Sequence, residues 1–340
     1  MSAGQSMQEA PKKTVAARKI LAVVVNWNGA EMTRDCCASL ASQTHRNVQV
    51  RVVDNGSTRH TVEELRALCP GAEVVGTGRN LGFAGGVNAG LRAGEVSSSG
   101  RRPAGPGGPP PGGGGGGAPP RPPDGAAGSP RPLDGFDYVW LVNNDAVCDP
   151  DALARLLAVA EADPRLAAVG CAMRESDGRG GERRVAAGKR MRPPFYIPLE
   201  PREGEPPDYL CGACVLMRRE ALADVGPLDE GFFFFFEDAD WSFRAVAKGW
   251  RLGVADGEPV RHLGGGTIRR NSRNRSRFYR AGHVLFLRRH ARFPLLAALP
   301  PFLYRLAAEM LRLEFSAARG SIEGFFAAPT DRRARGRRPR

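Results

Sequence analysis

The sequence predicts an α/β fold with a doubly wound, mostly parallel sheet flanked by helices and a helical segment at the C-terminal end. Two observations lead to this class. Short, continuously apolar runs rich in β-branched residues recur from Ile20 onwards, which is typical of strands buried on both faces. Helical stretches alternate with these runs, and this alternation is typical of a parallel sheet.

The predicted elements follow one another in a regular order. Three strands, ILAVVV, VQVRVVD and AEVVGTG, each precede a predicted helix, namely EMTRDCCASLASQ, TVEELRALC and FAGGVNAGLRAG. The next strand covers residues 136–142 and the next helix lies within residues 149–164, before two further strands at LAAVGC and YLCGACVLM. Residues 172–208 are rich in Gly, Pro, Arg and Glu, and this composition predicts only loop.

We expect one domain over residues 19–290, interrupted by an insertion. Residues 95–135 are dominated by Gly and Pro and hold too little apolar surface to offset the entropy of ordering, so a disordered surface insertion is expected there. A disordered tail over residues 1–18, a helical segment over residues 291–320 and a basic disordered tail over residues 321–340 complete the predicted organisation.

The net charge of +13 is concentrated in two arginine runs. Six arginines lie in residues 269–280 and six more in residues 331–340, so the rest of the chain is close to neutral. A basic run can contact nucleic acid, an anionic lipid or a diphosphate, and it can equally be a solvated helix face.

Cysteine usage and the N-terminus favour a cytoplasmic location. The seven cysteines are an odd number without a regular framework, and the N-terminal residues are polar. The Cys211–Cys214 pair lacks a second ligand pair at zinc spacing, so we interpret it as small residues in a packed strand. Residues 293–313 are apolar but include Arg305 and Glu309, which favours an interfacial or packed helix over a span and predicts peripheral contact with the inner face of a membrane.

Polar residues follow three of the predicted strands. Asn26 and Trp27 follow the first, Asp54 and Asn55 the second, and the run 143–145 the fourth. Ligands of open α/β sheets bind beyond the carboxyl ends of the strands, so these residues are expected to line one cleft. Each group by itself is also compatible with a turn or a helix cap.

The glycine-rich stretch GRNLGFAGGVNAGL does not indicate a Rossmann dehydrogenase. It lacks the G-x-G-x-x-G spacing and follows the third strand instead of the first. Small residues at the start of a helix still allow a phosphate to approach closely.

Seven motifs in order resemble the rhamnosyltransferase-like branch of the family 2 glycosyltransferases, over about residues 19–290. They are VVVNWNG, VVDNGST, GRNLGFAGGVNAGL, YVWLVNNDAVCDP, CGACVLMRRE, GPLDEGFFFFFEDADWSFRAVAKGWRL and VRHLGGGT.

The resemblance implies a GT-A fold, a nucleotide-diphospho-sugar donor, a divalent Mg²⁺ or Mn²⁺, and a glycan or lipid-linked acceptor. The first donors to consider are dTDP-rhamnose and UDP-sugars, and a role in polysaccharide or cell-wall synthesis is expected. Carried over by motif, the residues that contact the donor nucleotide are Asn26, Trp27, Asp54, Asn55, Arg79, Asn80 and Asn143, with Asp54 on the base.

The motif NND occupies the position of the family's D-x-D. The resemblance therefore implies that Asp145 binds the metal, whereas Asn143 replaces the first acid. His262 is expected to add a metal or diphosphate contact, and the GGGT after it to bring backbone N–H groups toward a phosphate; a hydrogen-bonded structural histidine is the alternative. A single carboxylate suits a weakly held ion that takes its other ligands from the diphosphate.

In FEDADW the resemblance assigns the general base to Asp238, and direct attack would invert the sugar carbon. We expect Glu237 or Asp240 to position the acceptor, although acids at a helix N-terminus can also act as caps. The five phenylalanines of residues 232–236 are predicted to form an apolar wall that raises the pKa of the base, or simply a buried segment packed for stability.

Two other classes remain open at this point. A sugar-1-phosphate nucleotidyltransferase can share the fold, but it needs a basic triphosphate loop that NWNGAEMT does not offer. A basic scaffold that binds nucleic acid or membrane through the arginine runs is the second alternative, and we do not expect nucleic acid as a partner.

Overall fold

The computed structural model describes residues 15–93, 133–176, 181–262 and 273–327. A short 3-10 helix at Val15–Ala17 precedes the first strand. The strands within these ranges are β1 Ile20–Asn26, β2 Val48–Asp54, β3 Glu73–Gly76, β4 Tyr138–Asn143, β5 Ala146–Val147, β6 Leu166–Ser176, β7 Glu182–Val185, β8 Gly188–Met191, β9 Pro198–Leu199, β10 Tyr209–Leu210, β11 Cys214–Arg218 and β12 Arg251–His262. The α-helices are α1 Ala30–Ala41, α2 Val62–Leu68, α3 Gly82–Arg92, α4 Ala152–Ala162, α5 Arg219–Val225, α6 Glu237–Ala247, α7 Arg273–His290, α8 Pro294–Leu311 and α9 Phe315–Ala327.

A nine-stranded sheet forms the centre of the fold, in the order β3-β2-β1-β4-β11-β6-β12-β5, with β7 paired to β6. The first four strands of this order are mutually parallel. Strand β11 runs antiparallel between β4 and β6 and makes the other half mixed. The predicted α/β class with helices flanking a central sheet is confirmed, and a small second sheet, β10-β8-β9, lies beside it.

Helices cover both faces of the sheet, which is why β1 is apolar throughout. Ile20, Ala22 and Val24 pack into the hydrophobic cluster on one face, and Leu21 and Val23 into the cluster on the other. All five are at most 1% exposed. A parallel strand buried on both faces has no solvent side, so its sequence shows a continuous apolar run in place of an alternation.

Residues 172–208, for which composition predicted only loop, contain regular structure. Strand β6 continues to Ser176, and β7, β8 and β9 follow it. Most residues of ERRV in β7 are exposed, and the strand pairs only with β6. Exposed edge strands carry charged residues and lack a clear apolar period, so their sequence resembles a loop.

Three helices follow the sheet domain, and α8 and α9 both pack on α7. We predicted that the basic tail begins at residue 321, but α9 continues to Ala327. Small buried residues explain the difference, because Gly320 and Gly324 lie against the backbone of α7 at Arg273 and Arg277.

Among the described helices, none has both the length and the hydropathy needed to cross a bilayer.

Several sequence predictions lie outside the described residues. They concern the N-terminal tail before Val15, the insertion up to residue 132, the GGGT motif, the start of the first arginine run and the basic tail from residue 328 onwards.

Candidate active site

A buried polar pair joins the carboxyl ends of β1 and β2. Asn26 and Asp54 are register partners, and Nδ2 of Asn26 donates to Oδ1 of Asp54 at 3.0 Å. The Oδ1 atom of Asn26 accepts from the backbone N–H of Gly29 and the hydroxyl of Thr33, which anchors the first turn of α1. Both predicted nucleotide contacts therefore lie together, and the pair also holds the loop that follows β1.

Asn55 organises the segment that precedes α3. Its amide group donates to Oδ1 of Asn80 at 3.3 Å and to the carbonyl of Gly82 at 2.9 Å. Its carbonyl accepts from the backbone N–H of Leu81 at 3.0 Å and from the hydroxyl of Thr77 at 3.4 Å. With these four hydrogen bonds and only 3% exposure, Asn55 shapes the loop before α3 and leaves little of its own side chain for direct contact with a ligand.

Two further predicted nucleotide contacts lie at the same edge of the sheet. Trp27 directly follows β1 and is half-buried, whereas the side chain of Arg79 is exposed. The backbone of Arg79 packs so closely on Gly56 that a Cβ there would overlap it, and Gly56 has a φ of +72°. The turn after β2 therefore requires glycine, which brings the loops after β2 and β3 into contact.

The predicted metal residues meet where β12 pairs with β5. His262 is the register partner of Ala146, so its imidazole reaches the side chain of Asp145, with Nε2 and Oδ1 3.1 Å apart. The amide Nδ2 of Asn143 lies 3.4 Å from the same Nε2 atom. Asp145 and His262 are separated by 117 positions in sequence, and the sheet alone brings them together.

The donor set of this pair fits a divalent ion that is completed by a ligand. One carboxylate and one imidazole suit Mn²⁺ or Mg²⁺ as two of its ligands. No group of three or more His, Cys, Asp or Glu residues that would hold an ion is present in the described ranges. The remaining ligands would have to be diphosphate oxygens or water.

Two residues that sequence reasoning missed support these pairs. His60 lies with Nε2 3.4 Å from Oδ1 of Asp54, beside the predicted nucleotide contact. Glu175, near the end of β6, lies with Oε1 3.1 Å from Nδ1 of His262. His60 lies six residues after Asp54, close enough along the chain to be considered as a neighbour of this strand end. Glu175, in contrast, lies in the region for which the composition predicted only loop.

The imidazole of His262 is therefore held between two carboxylates. Burial alone would lower its pKa, but the hydrogen bonds to Asp145 and Glu175 raise the pKa of His262 to about 9. His262 in turn lowers the pKa of Glu175 to about 2. A carboxylate on the far nitrogen of a metal-binding histidine fixes the orientation of the ring.

Asp238 lies in the first turn of α6 and is half-buried. Its Oδ2 atom accepts from the backbone N–H of Gly212 at 3.0 Å, and Oδ1 accepts from that of Ala239 at 2.8 Å. Burial raises the pKa of Asp238 above the ordinary value of 3.8, despite these two hydrogen bonds. A raised pKa makes the ionised carboxylate a stronger base.

Glu237 lies next to Asp238 and is only 6% exposed. Its Oε2 atom is buried and lacks a hydrogen-bond partner among the described residues. Burial, together with the charge of Asp238, raises the pKa of Glu237 well above its ordinary range. Burial thus raises the pKa of both carboxyls, and the charge of Asp238 adds to the rise at Glu237.

Asp240 connects α6 to α7 and is 1% exposed. It accepts from Nε of Arg244 at 2.8 Å and from Nε2 of His290 at 2.9 Å, and Nη1 of Arg289 lies 3.5 Å away. Burial alone would raise the pKa of Asp240, but His290 and Arg244 hold it below its ordinary value. These partners are all side chains of the protein, and two of them are arginines, so the arrangement favours a structural role over the predicted contact with an acceptor.

The five phenylalanines differ in their burial. Phe232 and Phe236 are buried in a cluster that includes α7 residues, whereas Phe233 is 37% exposed and its ring lies 4.7 Å from that of Phe278. Phe235 and Phe236 have φ of 71° and 70°. Non-glycine residues in this left-handed region are strained, and such strain concentrates at functional sites.

The phenylalanine run also joins the two halves of the site. The carbonyl of Phe233 accepts from the backbone N–H of Phe83 at 2.7 Å, just after Gly82. Gly82 has a φ of +76°, and a Cβ at this position would overlap that same carbonyl. The loop that borders the predicted nucleotide pocket is thus seated directly on the segment that leads to Asp238.

A protein-family model described as glycosyltransferase like family 2 matches residues 17–281. A curated relative, the N-acetylglucosaminyl-diphospho-decaprenol L-rhamnosyltransferase of Mycobacterium tuberculosis (strain CDC 1551 / Oshkosh), is 29% identical over 289 residues. That alignment covers 79% of this chain and 84% of the relative.

Two solved structures are similar in fold. A mannosyltransferase from Pyrobaculum calidifontis in complex with GDP-Man and Mn²⁺ has a TM-score of 0.52 and 17% identity, over 92% of this chain and 76% of its own. GalNAc-T7 with UDP, GalNAc and Mn²⁺ has a TM-score of 0.57 and 12% identity, over 93% of this chain and 57% of its own. At these identities the likeness is one of fold.

Proposed function

This chain belongs to the glycosyltransferase like family 2, and from that membership we propose that it is an inverting glycosyltransferase with a nucleotide-diphospho-sugar donor. The first donors to test are dTDP-rhamnose and UDP-sugars. The acceptor is a hydroxyl of a glycan or of a lipid-linked sugar. The mycobacterial relative, whose name specifies rhamnosyl transfer and a diphospho-decaprenol acceptor, supports rhamnose and a lipid-linked acceptor as the first pair.

One observation carries the proposal, namely the short connection between the proposed base and the proposed diphosphate site. Asp238 accepts from the N–H of Gly212, and the next residue, Ala213, accepts from the N–H of Asn143 at 2.9 Å. Asn143 lies two residues before Asp145. The carboxyl group of Asp238 and the Asp145–His262 pair thus flank one edge of the sheet, as a two-substrate transfer needs.

The proposed reaction is a direct displacement. Asp238 takes the proton of the acceptor hydroxyl as its oxygen attacks the anomeric carbon, and the bond from that carbon to the diphosphate oxygen breaks. The electron pair leaves with the nucleoside diphosphate, and attack from the opposite side inverts the configuration. Glu237, whose pKa burial raises well above its ordinary range, lies beside Asp238 and is available as a hydrogen-bond partner for the acceptor.

Asp145 and His262 would hold a Mn²⁺ or Mg²⁺ ion, which would displace the proton on Nε2 of His262 and would neutralise negative charge on the diphosphate. Glu175 orients the ring of His262 for this role, and Asn143 adds a neutral amide beside it. Asn26 and Asp54, together with the loop shaped by Asn55, form the proposed floor for the nucleotide.

The test is a turnover assay with a panel of nucleotide sugars and acceptors, which compares the parent with Asp238→Asn. We expect kcat to fall by about 10²–10⁴-fold, because the substitution removes the base while it keeps the side-chain volume and one of the two backbone hydrogen bonds. Asp224→Asn is the matched control, since Asp224 is 47% exposed and pairs with Lys248 on the surface. If Asp238→Asn turns over as fast as this control, Asp238 is not the base.

A thermal-shift screen of nucleoside diphosphates with and without Mn²⁺ tests the donor site separately. We expect stabilisation by one nucleotide to increase with Mn²⁺, and Asp145→Asn to lose only that increase. Equal stabilisation of the parent with and without Mn²⁺ would contradict the metal assignment. A sugar-1-phosphate nucleotidyltransferase would instead release pyrophosphate from a nucleoside triphosphate, so this product is measured in the same panel.

A further inference from the structure

The helices α8 and α9 expose an apolar surface that the proposed chemistry does not use. Twelve of the nineteen large hydrophobic side chains that are exposed among the described residues lie within residues 293–326. The six most exposed, which define what we call the α8–α9 apolar surface, range from 67% to 85% exposure: Leu295, Leu296, Tyr304, Leu311, Leu313 and Phe326. Exposed apolar side chains that are concentrated in one segment of the chain indicate a binding surface.

Helix α8 has two faces with different surroundings. Ala297, Ala298, Phe302 and Glu309 are buried, and the carboxylate of Glu309 accepts from Ser276 of α7 at 3.3 Å. The opposite side carries leucines that face solvent. A helix that is attached to the protein along one side can only lie along a membrane with the other, which is the geometry of an interfacial helix.

The positive charge of residues 269–340 indicates which kind of partner the α8–α9 apolar surface binds. Residues 269–340 contain 18 arginines and four acidic residues, against a net charge of +13 for the whole chain. The guanidinium of Arg292 lies over the exposed ring of Phe293 at 5.3 Å, and Arg312 is exposed between Leu311 and Leu313. Arginines beside exposed apolar side chains bury their stems in the interface and reach anionic headgroups with their charge.

We propose that the α8–α9 apolar surface docks on a bilayer that contains anionic lipid, with the leucines in the acyl boundary and the flanking arginines on the headgroups. A second copy of the chain is a poorer occupant, because it would bring the same positive charge to the same surface. The partner is thus a lipid surface of negative charge.

Helix α7 connects this surface to the proposed acceptor side. Phe278 contacts Phe233 of the phenylalanine run, and the guanidinium of Arg275 lies over the ring of Phe235 at 5.0 Å. The same helix packs on α8 and α9. Docking would therefore hold α7 and the phenylalanine run close to the bilayer. This placement would serve catalysis only if the acceptor is lipid-linked, so this part of the inference rests on the proposed function.

The test is a flotation assay of the full chain with vesicles of phosphatidylcholine alone and with phosphatidylglycerol added. We expect binding to the anionic vesicles, weakened by salt, and a loss of at least about tenfold in partitioning for the double variant Leu296→Glu, Leu311→Glu. The matched control is the double variant Val246→Glu, Val254→Glu, which changes side chains of 49% and 40% exposure on α6 and β12 and should bind like the parent.

Three outcomes would overturn the proposal. They are equal recovery with neutral and anionic vesicles, no recovery with either, and binding that survives in the leucine variant. A dimer in the absence of vesicles that dissociates in the leucine variant would assign the surface to a second copy instead. Vesicle binding needs no turnover, so failure of sugar transfer with intact binding would reject the proposed function and leave the docking surface in place.

Discussion

Substitution of Asp240 by Asn should destabilise the fold without removing a catalytic group. The carboxylate is 1% exposed and bonds to Arg244 and His290 at 2.8 and 2.9 Å, with Arg289 at 3.5 Å. Asparagine has one acceptor oxygen in place of two and would direct an N–H₂ group at a cation. The change therefore leaves buried positive charge without its counter-charge.

The magnitude follows from what each partner retains. Breaking a buried ion pair by removing one member costs about 3–5 kcal/mol. Arg244 keeps hydrogen bonds to the carbonyls of Val225 and Pro227, and it is 29% exposed, so we expect the lower end of this range, about 3 kcal/mol. For a chain of 340 residues, an unfolding entropy of about 2.1 cal/mol/K per residue converts this into a fall of the thermal midpoint by about 4 °C.

Thermal unfolding of the parent and of Asp240→Asn measures this effect, with Asp224→Asn as the control. Asp224 lies at the surface, and loss of its pair with Lys248 should change the free energy of unfolding by less than about 1 kcal/mol. If Asp240→Asn unfolds at the temperature of the control while its turnover falls as that of Asp238→Asn is expected to, Asp240 acts in the chemistry and the structural argument is wrong.

Three other predictions test separate parts of the site. Glu175→Gln should weaken Mn²⁺ binding by about 10–100-fold, because the ring of His262 loses its charged partner, and Mn²⁺ titration by calorimetry with the nucleotide present should detect this; unchanged affinity would contradict it. The acid limb of kcat/KM should lie above 3.8, since activity falls as Asp238 is protonated through its raised pKa. In Glu237→Gln that limb should stay in place, because burial is the main cause of the shift, and a limb that moves down to the ordinary aspartate value would refute this. Gly82→Ala should weaken nucleoside diphosphate binding in the thermal-shift screen, because a Cβ overlaps a backbone carbonyl and φ is +76°; wild-type stabilisation by nucleotide would show that the loop does not shape the pocket.

Features that depend on neighbouring residues could be predicted from the sequence, whereas contacts between residues distant in sequence could not. Strands β1, β2 and β4 were found because each is a local apolar run, and the polar residues at their ends were found because they directly follow such runs. Glu175 was missed because its significance depends on His262, 87 residues later. No local sequence pattern marks a residue whose hydrogen-bond partner lies on another strand that is distant in sequence.

The acidic cluster at the start of α6 shows the same division within a few residues. The sequence left Glu237 and Asp240 interchangeable as the residue that positions the acceptor. In the structure Asp240 contacts Arg289 and His290 of α7, some 50 positions away, whereas Glu237 has a buried carboxyl oxygen without a hydrogen-bond partner among the described residues. Burial and distant charge separate the two roles, and neither can be read from the spacing.

By itself, therefore, the sequence determined the α/β class, the family and the chain positions of the candidate site, because apolar periodicity and strand-end motifs are local properties. Tertiary structure alone decided which of these acids have a raised and which a lowered pKa, which carboxylate lies beside the ring of His262 and which side of α8 faces solvent. Each of these depends on the environment that elements distant in sequence create when they pack together, since burial and neighbouring charge set both pKa and exposure.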